Sequence, residues 1–219
     1  MKKNTSHISV ILDRTGSMAS IREETIAGFN AFLKQQQSEP GKATLTLVQF
    51  DSDDPYEVIH RFKPIKEIPL LTNETFVPRG MTPLLDAIGR GIMDLEKSLG
   101  SKKGAKKETK VIMIIITDGY ENASLEFNHK QINKMIKEKK EKDNWQFVYL
   151  SADLSSVNMA IEQGFDRDAV MAFDKDKQGT DEAWQATSSR IADYRASRME
   201  KVCYSPLDRS KQKIEQERN

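Results

Sequence analysis

The sequence is poor in the residues that build disulfide frameworks and zinc centres. It has 219 residues, of which one is cysteine and three are histidine. A lone Cys203 excludes an intrachain disulfide and is typical of a protein from a reducing compartment. His7, His60 and His129 lie too far apart for the short ligand spacings of a zinc site. The sequence therefore argues against a disulfide-stabilised fold and against a His/Cys metal centre.

Long apolar runs and an excess of one charge are also missing. The longest apolar run, residues 111–116, is far shorter than the roughly 20 residues of a membrane span. The apolar stretch at residues 8–12 is shorter than the hydrophobic region of about 7–15 residues in a secretory signal. The formal net charge is only +1, which gives no electrostatic footprint for nucleic acid. We therefore expect a soluble, cytoplasmic protein that has no membrane or nucleic-acid partner.

Short apolar runs alternate with amphipathic segments of helical period, which is typical of an α/β fold. The first helix is expected to start at a capping box formed by Ser20 and Glu23. The turn at residues 51–55 is too short for a crossover helix, so the strand after it should be antiparallel. These patterns predict a doubly wound, mostly parallel central sheet with one antiparallel edge strand and helices on both faces. The predicted strands are 7–12, 43–50, 56–62, 110–117, 145–150 and 169–173, and the predicted helices are 20–37, 83–99, 127–142, 157–163 and 180–195.

The pattern divides the chain into one α/β domain, residues 5–195, and a polar C-terminal tail, residues 196–219. The tail has no sustained apolar stripe, so we expect it to be mobile or to make few contacts with the domain. Two further polar stretches, the acidic turn at 51–54 and the lysine-rich loop at 100–110, are predicted to be solvated.

Oxygen-bearing side chains follow two of the predicted strands and precede one helix. Asp13, Thr15 and Ser17 form a D-x-T-x-S pattern after the first strand, Thr82 precedes the helix 83–99, and Asp118 follows the strand 110–117. Taken singly, the aspartates could be turn residues and Thr82 a helix cap. Carboxylate and hydroxyl oxygens are hard ligands suited to Mg²⁺. Strands of such a sheet present their carboxyl ends to one crevice, so these residues could meet there.

In this order, the three motifs resemble those of the von Willebrand factor A (vWA) family, of the intracellular bacterial or phage type. The resemblance implies the strand order 3-2-1-4-5-6, with the first and fourth strands adjacent. It also implies a metal-ion-dependent adhesion site that holds Mg²⁺, with Mn²⁺ or Ca²⁺ as alternatives. The implied ligands, direct or through water, are Asp13, Thr15, Ser17, Thr82 and Asp118. Thr15 departs from the serine that is usual in the family but keeps the hydroxyl group.

The ligand set predicts a binding module rather than an enzyme. Two carboxylates and three neutral hydroxyls leave a divalent ion able to accept one more anionic oxygen, which an Asp or Glu of a partner protein could supply. The side chains next to the ligands, which we expect to determine specificity, are those of Arg14, Met18, Arg79, Met81 and Tyr120. The family resemblance further implies work in a multiprotein assembly, such as one that contains an ATPase.

Two alternatives remain open at the level of sequence. An aspartate after the first strand and another after a later strand also resemble Mg²⁺-dependent phosphatases of the haloacid-dehalogenase type. Those enzymes use a second aspartate two residues after the nucleophile, where this chain has Thr15, so the expected acid/base is missing. The third interpretation is a metal-free, structural cluster.

Overall fold

A six-stranded sheet forms the centre of the molecule, and its topology follows the predicted order. The computed structural model describes residues 5–100 and 109–216. The order across the sheet is β3-β2-β1-β4-β5-β6. The β2–β3 pair is antiparallel and the other pairs are parallel, which confirms the predicted fold class. The strands are β1 (Thr5–Asp13), β2 (Lys42–Phe50), β3 (Glu57–Pro64), β4 (Thr109–Thr117), β5 (Gln146–Ser151) and β6 (Val170–Ala172).

Helices cover both faces of this sheet. The helices α1 and α5 pack with one apolar cluster, and α2, α3 and α4 pack with a second one on the opposite face. The helices are α1 (Arg22–Ser38), α2 (Leu84–Gly100), α3 (His129–Asp143), α4 (Leu154–Glu162), α5 (Lys177–Arg195), α6 (Pro206–Ser210) and α7 (Lys213–Gln216). No helix within residues 5–100 and 109–216 combines the length and the apolar character needed to cross a membrane.

The apolar run of β4 is continuous because both faces of this strand are buried. Ile112, Ile114 and Ile116 belong to the cluster under α1 and α5. Met113 and Ile115 belong to the cluster under α2, α3 and α4. Successive side chains of a strand point to opposite faces, so a strand covered on both sides needs apolar residues at every position. The central position of β4 fixes the end of that strand, and with it Asp118, in the middle of the sheet.

The predicted capping box at the start of the first helix is wrong. Residues Gly16–Ile21 form a 3-10 helix, and α1 starts only at Arg22, without a side-chain cap. The Ser20 hydroxyl instead donates to the carbonyl oxygen of Ser17, at 3.0 Å. The segment between β1 and α1 is therefore a tight turn in its own right, and this turn presents Ser17 at the edge of the sheet.

The expectation that the tail makes few contacts is also wrong. Within the C-terminal segment, defined here as residues 196–216, Val202 and Tyr204 are buried in the cluster under α1 and α5. The Tyr204 hydroxyl lies 2.7 Å from Thr187 Oγ1 of α5, and Asp208 accepts two hydrogen bonds from Arg190. Whether residue 195 is a domain boundary stays a prediction. Of the predicted lysine-rich loop, residues 101–108 lie outside the described part of the chain.

Candidate metal site

Asp13 closes β1 and is the most deeply buried residue of the predicted ligand set. Its side chain has no exposed surface. Its Oδ1 accepts a hydrogen bond from the Thr15 backbone N–H at 2.7 Å, and its Oδ2 accepts one from Thr117 Oγ1 at 2.5 Å. Burial raises the pKa of Asp13 to about 7, although these hydrogen bonds act in the opposite direction. The position is set by parallel pairing of β1 with both β2 and β4.

Ser17 joins the turn after β1 to the end of β4. Its hydroxyl donates to Asp118 Oδ1 at 2.7 Å, and its Oγ lies 3.2 Å from Thr15 Oγ1. Thr15 and Asp118 are buried, whereas Ser17 is exposed. The strand order thus brings these three side chains together from distant parts of the sequence, at a place that opens to solvent on the Ser17 side.

Thr82 approaches the same point from the turn before α2. A Cβ atom built on Gly119 would lie 3.5 Å from Ser17 Oγ and 4.0 Å from Thr82 Oγ1, so both hydroxyls lie close around this glycine. The Thr82 backbone N–H donates to Asn122 Oδ1 at 2.8 Å, and its carbonyl oxygen accepts from the Asn122 backbone N–H at 3.1 Å. This double hydrogen bond fixes the turn before α2 against the segment after β4.

The turn that carries Thr82 is also bound to the turn after β1. The Gly16 N–H donates to the Gly80 carbonyl oxygen at 3.1 Å, and the Arg79 N–H donates to the Arg14 carbonyl oxygen at 2.9 Å. Gly80 has a φ of +68°, and a side chain there would meet Ser52 Oγ at 2.6 Å. Glycine is therefore required at this position both for the left-handed backbone and for the close approach.

A buried ion pair lies behind the turn after β1. Arg14 Nε donates to Asp51 Oδ2 at 2.8 Å, and Asp51 is fully buried. Burial alone would raise the pKa of Asp51, but backbone hydrogen bonds from Asp54 and Asp53 and the Arg14 guanidinium hold it below its usual value. The prediction of a solvated acidic turn is therefore wrong for Asp51. This carboxylate has a structural role, which is to anchor Arg14 between two of the predicted ligands.

The structure divides the residues expected to line the site into two groups. Arg14 and Met18 are buried and face the interior, and Arg79 donates through its Nε to Asp51 at 3.0 Å. Met81, directly before Thr82, is 57% exposed. Tyr120, directly after Gly119, is 53% exposed. Exposed side chains can contact a partner, so Met81 and Tyr120 fit the expected role, and so does Arg79, whose side chain is exposed although it pairs with Asp51. Arg14 and Met18 do not fit it because they are buried.

An open groove of about 780 Å³ lies beside Tyr120. Residues of α3 and α4 form most of its walls. Tyr120, which comes two residues after Asp118 in the sequence, also lines it. Most of the other residues that line it have polar side chains: His129, Lys130, Asn133, Ser155, Asn158, Met159, Glu162 and Gln163. Tyr120 is therefore the residue that the groove shares with the segment after β4.

One cation approaches the cluster from a part of the chain that the motif did not contain. Lys175, in the loop between β6 and α5, places its Nζ 2.6 Å from Asp118 Oδ2 and 3.4 Å from the carbonyl oxygen of Ser17. The Asp118 side chain itself has no exposed surface. The ammonium group of Lys175 thus places a positive charge beside Asp118 Oδ2.

The donor set fits a hard divalent cation. Among the described residues no group of three or more His, Cys, Asp or Glu side chains is placed to hold a metal, so a thiolate, imidazole or all-carboxylate centre is not indicated there. The site offers two carboxylates and three hydroxyls, which suit Mg²⁺ or Mn²⁺. The ammonium of Lys175 lies beside Asp118, so this side of the cluster accommodates a positive charge.

Three contributors to this arrangement were not predicted from the sequence. The Thr117 hydroxyl donates a hydrogen bond to Asp13 Oδ2. Its position directly before Asp118 is the signal that could have identified it. Asn122 fixes Thr82 but gives no pattern of its own. Lys175 is brought near only by the fold, so no local spacing could have indicated it.

Comparisons with known proteins identify the fold. No family model matches the chain, and no curated protein is significantly similar to it. Among solved structures, the pilus adhesin SpaC from Lactobacillus rhamnosus GG has a TM-score of 0.63 and 13% identity, over 86% of this chain and 30% of its own. A von Willebrand factor type A protein from Catenulispora acidiphila has a TM-score of 0.55 and 14% identity, over 86% of this chain and 43% of its own. The chain has the fold of a vWA domain.

A third similar structure contains a bound metal. The proximal thread matrix protein 1 of the mussel byssus, with a MIDAS motif occupied by zinc, has a TM-score of 0.59 and 13% identity, over 88% of this chain and 47% of its own. At these identities the likeness to vWA proteins is one of fold. The chain spans less than half the length of each of these three proteins. The roles of the five residues as metal ligands, and the intracellular bacterial or phage type, stay predictions.

Proposed function

We propose that this vWA-like chain is a metal-ion-dependent protein-binding module. The observation that carries the proposal is the meeting of oxygen donors from three separate turns around the Ser17–Asp118 hydrogen bond. The ion that the donor set fits best is Mg²⁺, with Mn²⁺ or Ca²⁺ as alternatives. The proposed ligands, direct or through water, are Asp13, Thr15, Ser17, Thr82 and Asp118.

The side chains have different roles in this proposal. Ser17, which is exposed, and Asp118, whose Oδ2 faces the Lys175 ammonium, are the proposed direct ligands. Both oxygens of Asp13 already accept a hydrogen bond within the protein, so Asp13 would act through water and by its charge. A bound divalent ion would supply an electrophilic centre for one further anionic oxygen.

The partner we propose presents an Asp or Glu side chain to this centre. Two carboxylates and three hydroxyls supply five oxygens, directly or through water, so an octahedral ion has one further position, which a carboxylate oxygen of a partner can take. The exposed side chains of Met81 and Tyr120 would contact apolar groups beside that acidic residue. The groove beside Tyr120 would receive the adjoining chain of the partner. A partner within an ATPase-containing assembly, and a cytoplasmic location, stay predictions.

The geometry does not favour the phosphatase alternative. A nucleophilic aspartate must reach the phosphorus atom of its substrate, but Asp13 is fully buried and both of its oxygens are hydrogen bonded. The position two residues later is Thr15, whose hydroxyl lies against Ser17 instead of offering a carboxylic acid. We therefore propose a non-enzymatic role for the site.

The proposal is tested first by metal-dependent stabilisation. Saturating Mg²⁺ or Mn²⁺ should raise the melting temperature of EDTA-treated protein, because an ion that binds only the native state stabilises it by mass action. The Asp118→Asn variant should lose this response. Asp53→Asn is the matched control, since Asp53 is an exposed aspartate near the same edge that contacts Arg79 and none of the five ligands. A wild-type protein that no divalent ion stabilises would contradict the proposal.

The second test concerns the partner. A partner isolated by affinity capture should be released by EDTA and rebind when Mg²⁺ is restored. The purified pair should show the same dependence, and substitution of one Asp or Glu on the partner should not weaken binding further in the Asp118→Asn background. Full-strength binding of the purified pair in EDTA would assign the interaction to another surface.

A further inference from the structure

Lys175 is held in place from both sides. On one side, Asp174 accepts hydrogen bonds from the backbone N–H groups of Lys213 and Ile214, at 2.7 and 2.9 Å. On the other side, Asp176 caps α5 by accepting the Gly179 N–H at 2.8 Å. Two fixed neighbours restrict the backbone of Lys175, so its side chain starts from a defined point beside Asp118.

The ammonium of Lys175 lies against one oxygen that a metal ion would use. Its Nζ is 2.6 Å from Asp118 Oδ2, and a longer contact of 3.4 Å reaches the backbone carbonyl oxygen of Ser17, the residue whose hydroxyl is the other proposed direct ligand. The Lys175 side chain is 37% exposed, whereas that of Asp118 is fully buried. A charge that is buried without a partner is costly, and the Lys175 ammonium supplies an opposite charge to the buried Asp118 carboxylate.

We infer that the Lys175 ammonium group pairs with Asp118 Oδ2 in the metal-free protein and competes with the divalent ion for this oxygen. The inference rests on the proposed metal site and adds the residue that sets its affinity. An ammonium ion and a divalent cation repel each other, so the metal binds only when Lys175 turns away. The apparent affinity is then reduced by the fraction of molecules in which Lys175 is displaced.

The competition predicts opposite changes in two measured quantities. Lys175→Met removes the charge and keeps the length of the side chain. In the metal-free protein it leaves Asp118 without a positive partner, so the melting temperature should fall. The same variant should bind Mn²⁺ more tightly, with a dissociation constant lower by roughly two- to fivefold, as expected for the loss of one partly exposed ion pair. A residue with a merely structural role would lower stability without raising metal affinity.

The experiment measures Mn²⁺ binding to chelator-treated, full-length protein by isothermal titration, and the metal-free melting temperature beside it. Lys175→Arg should keep the wild-type affinity within a factor of about two, because the positive charge remains. Lys177→Met is the matched control, since Lys177 is exposed at the first position of α5, and it should change neither quantity.

Three outcomes are informative. Tighter Mn²⁺ binding by Lys175→Met together with a lower metal-free melting temperature supports the competition. Equal Mn²⁺ affinity in the wild type and in Lys175→Met overturns it and leaves the proposed metal site intact. Absence of Mn²⁺ binding in both proteins contradicts the metal site itself and the competition with it.

Discussion

Two polar regions of this chain use their side chains differently: the metal-site loop, residues 13–17, and the C-terminal segment. In the C-terminal segment, polar groups hydrogen bond to the backbone of other elements. Glu215 accepts the Ala172 N–H of β6 at 2.6 Å, and Gln212 donates to the Gly179 carbonyl oxygen of α5 at 3.0 Å. In the metal-site loop, the hydroxyls of Thr15 and Ser17 lie against each other and against a carboxylate instead.

The comparison distinguishes polar side chains that stabilise the fold from polar side chains that can bind a ligand. A side chain that satisfies a backbone N–H or C=O group replaces water at that group and stabilises the fold. Hydroxyls and carboxylates that converge on one another keep unused lone pairs directed at a common point, which is what a cation needs. Substitutions in the C-terminal segment should therefore lower stability without changing metal binding, whereas removal of the Thr15 or Ser17 hydroxyl should weaken metal binding with little change in stability.

The largest expected effect is on stability, at Tyr204. This side chain is buried in the cluster under α1 and α5, and Tyr204→Ala should cost about 3–5 kcal/mol of unfolding free energy, as aromatic-to-alanine changes in a core do. Urea denaturation in EDTA measures it. The dissociation constant for Mn²⁺ should stay at the wild-type value. A loss below about 1 kcal/mol would restore the original expectation of a loosely attached tail.

A matched pair of serines then tests the separation directly. Ser17→Ala removes a hydroxyl from the ligand cluster and should weaken Mn²⁺ binding by about 10–100-fold. Ser205 caps α6 by accepting the Asp208 N–H, and Ser205→Ala should cost about 0.5–2 kcal/mol of stability and leave Mn²⁺ binding unchanged. Isothermal titration measures the Mn²⁺ dissociation constant of both variants, and urea denaturation measures their free energies of unfolding. Similar losses of metal affinity in both would break the distinction between the two regions.

The sequence was sufficient for the fold and for the convergence of the predicted ligands. Strand–helix alternation and the apolar run of β4 predict the parallel sheet, and the resemblance to vWA proteins predicts the strand order that puts Asp13 and Asp118 side by side. Local patterns of this kind depend on residues that are close in sequence. Ser17, Thr82 and Asp118 each follow or precede a recognisable element, so their places were predictable.

The errors share a physical cause, which is that partners from distant segments are invisible in a local pattern. Ser20 and Glu23 match a capping box, but the turn after β1 is bound to Gly80 and closes as a 3-10 helix. In the sequence Asp51 resembles a solvated turn residue, but in the structure Arg14 donates a hydrogen bond to it. Tyr204 lies in a polar stretch and is buried because α5 and the sheet leave a space for it.

The third prediction concerns pH in the metal-free protein. The pKa of Asp13 is about 7 in the folded state against its ordinary value of 3.8, so between these two pH values the folded protein binds a proton there that the unfolded chain lacks. The contribution of Asp13 to stability therefore decreases as pH rises from about 4 to about 7 and is constant above that range. In EDTA, Asp13→Asn should melt close to the wild type near pH 4 and a few degrees above it at about pH 7 to 8. A difference that is independent of pH would show that Asp13 stays charged throughout.

The smallest expected effect sharpens the comparison at a single hydroxyl of the C-terminal segment. Tyr204→Phe removes the group that lies 2.7 Å from Thr187 Oγ1, but Thr187 still donates to the Ala183 carbonyl oxygen at 2.7 Å. No buried polar atom is left without a partner, so the loss should be only about 0.5–1.5 kcal/mol, the net value of one hydrogen bond. That corresponds to a fall of about 1–6 °C in melting temperature for a chain of this size, measured with and without Mn²⁺. The metal-induced shift should be the same as in the wild type, because the hydroxyl stabilises the packing of the segment and contributes no oxygen to the site.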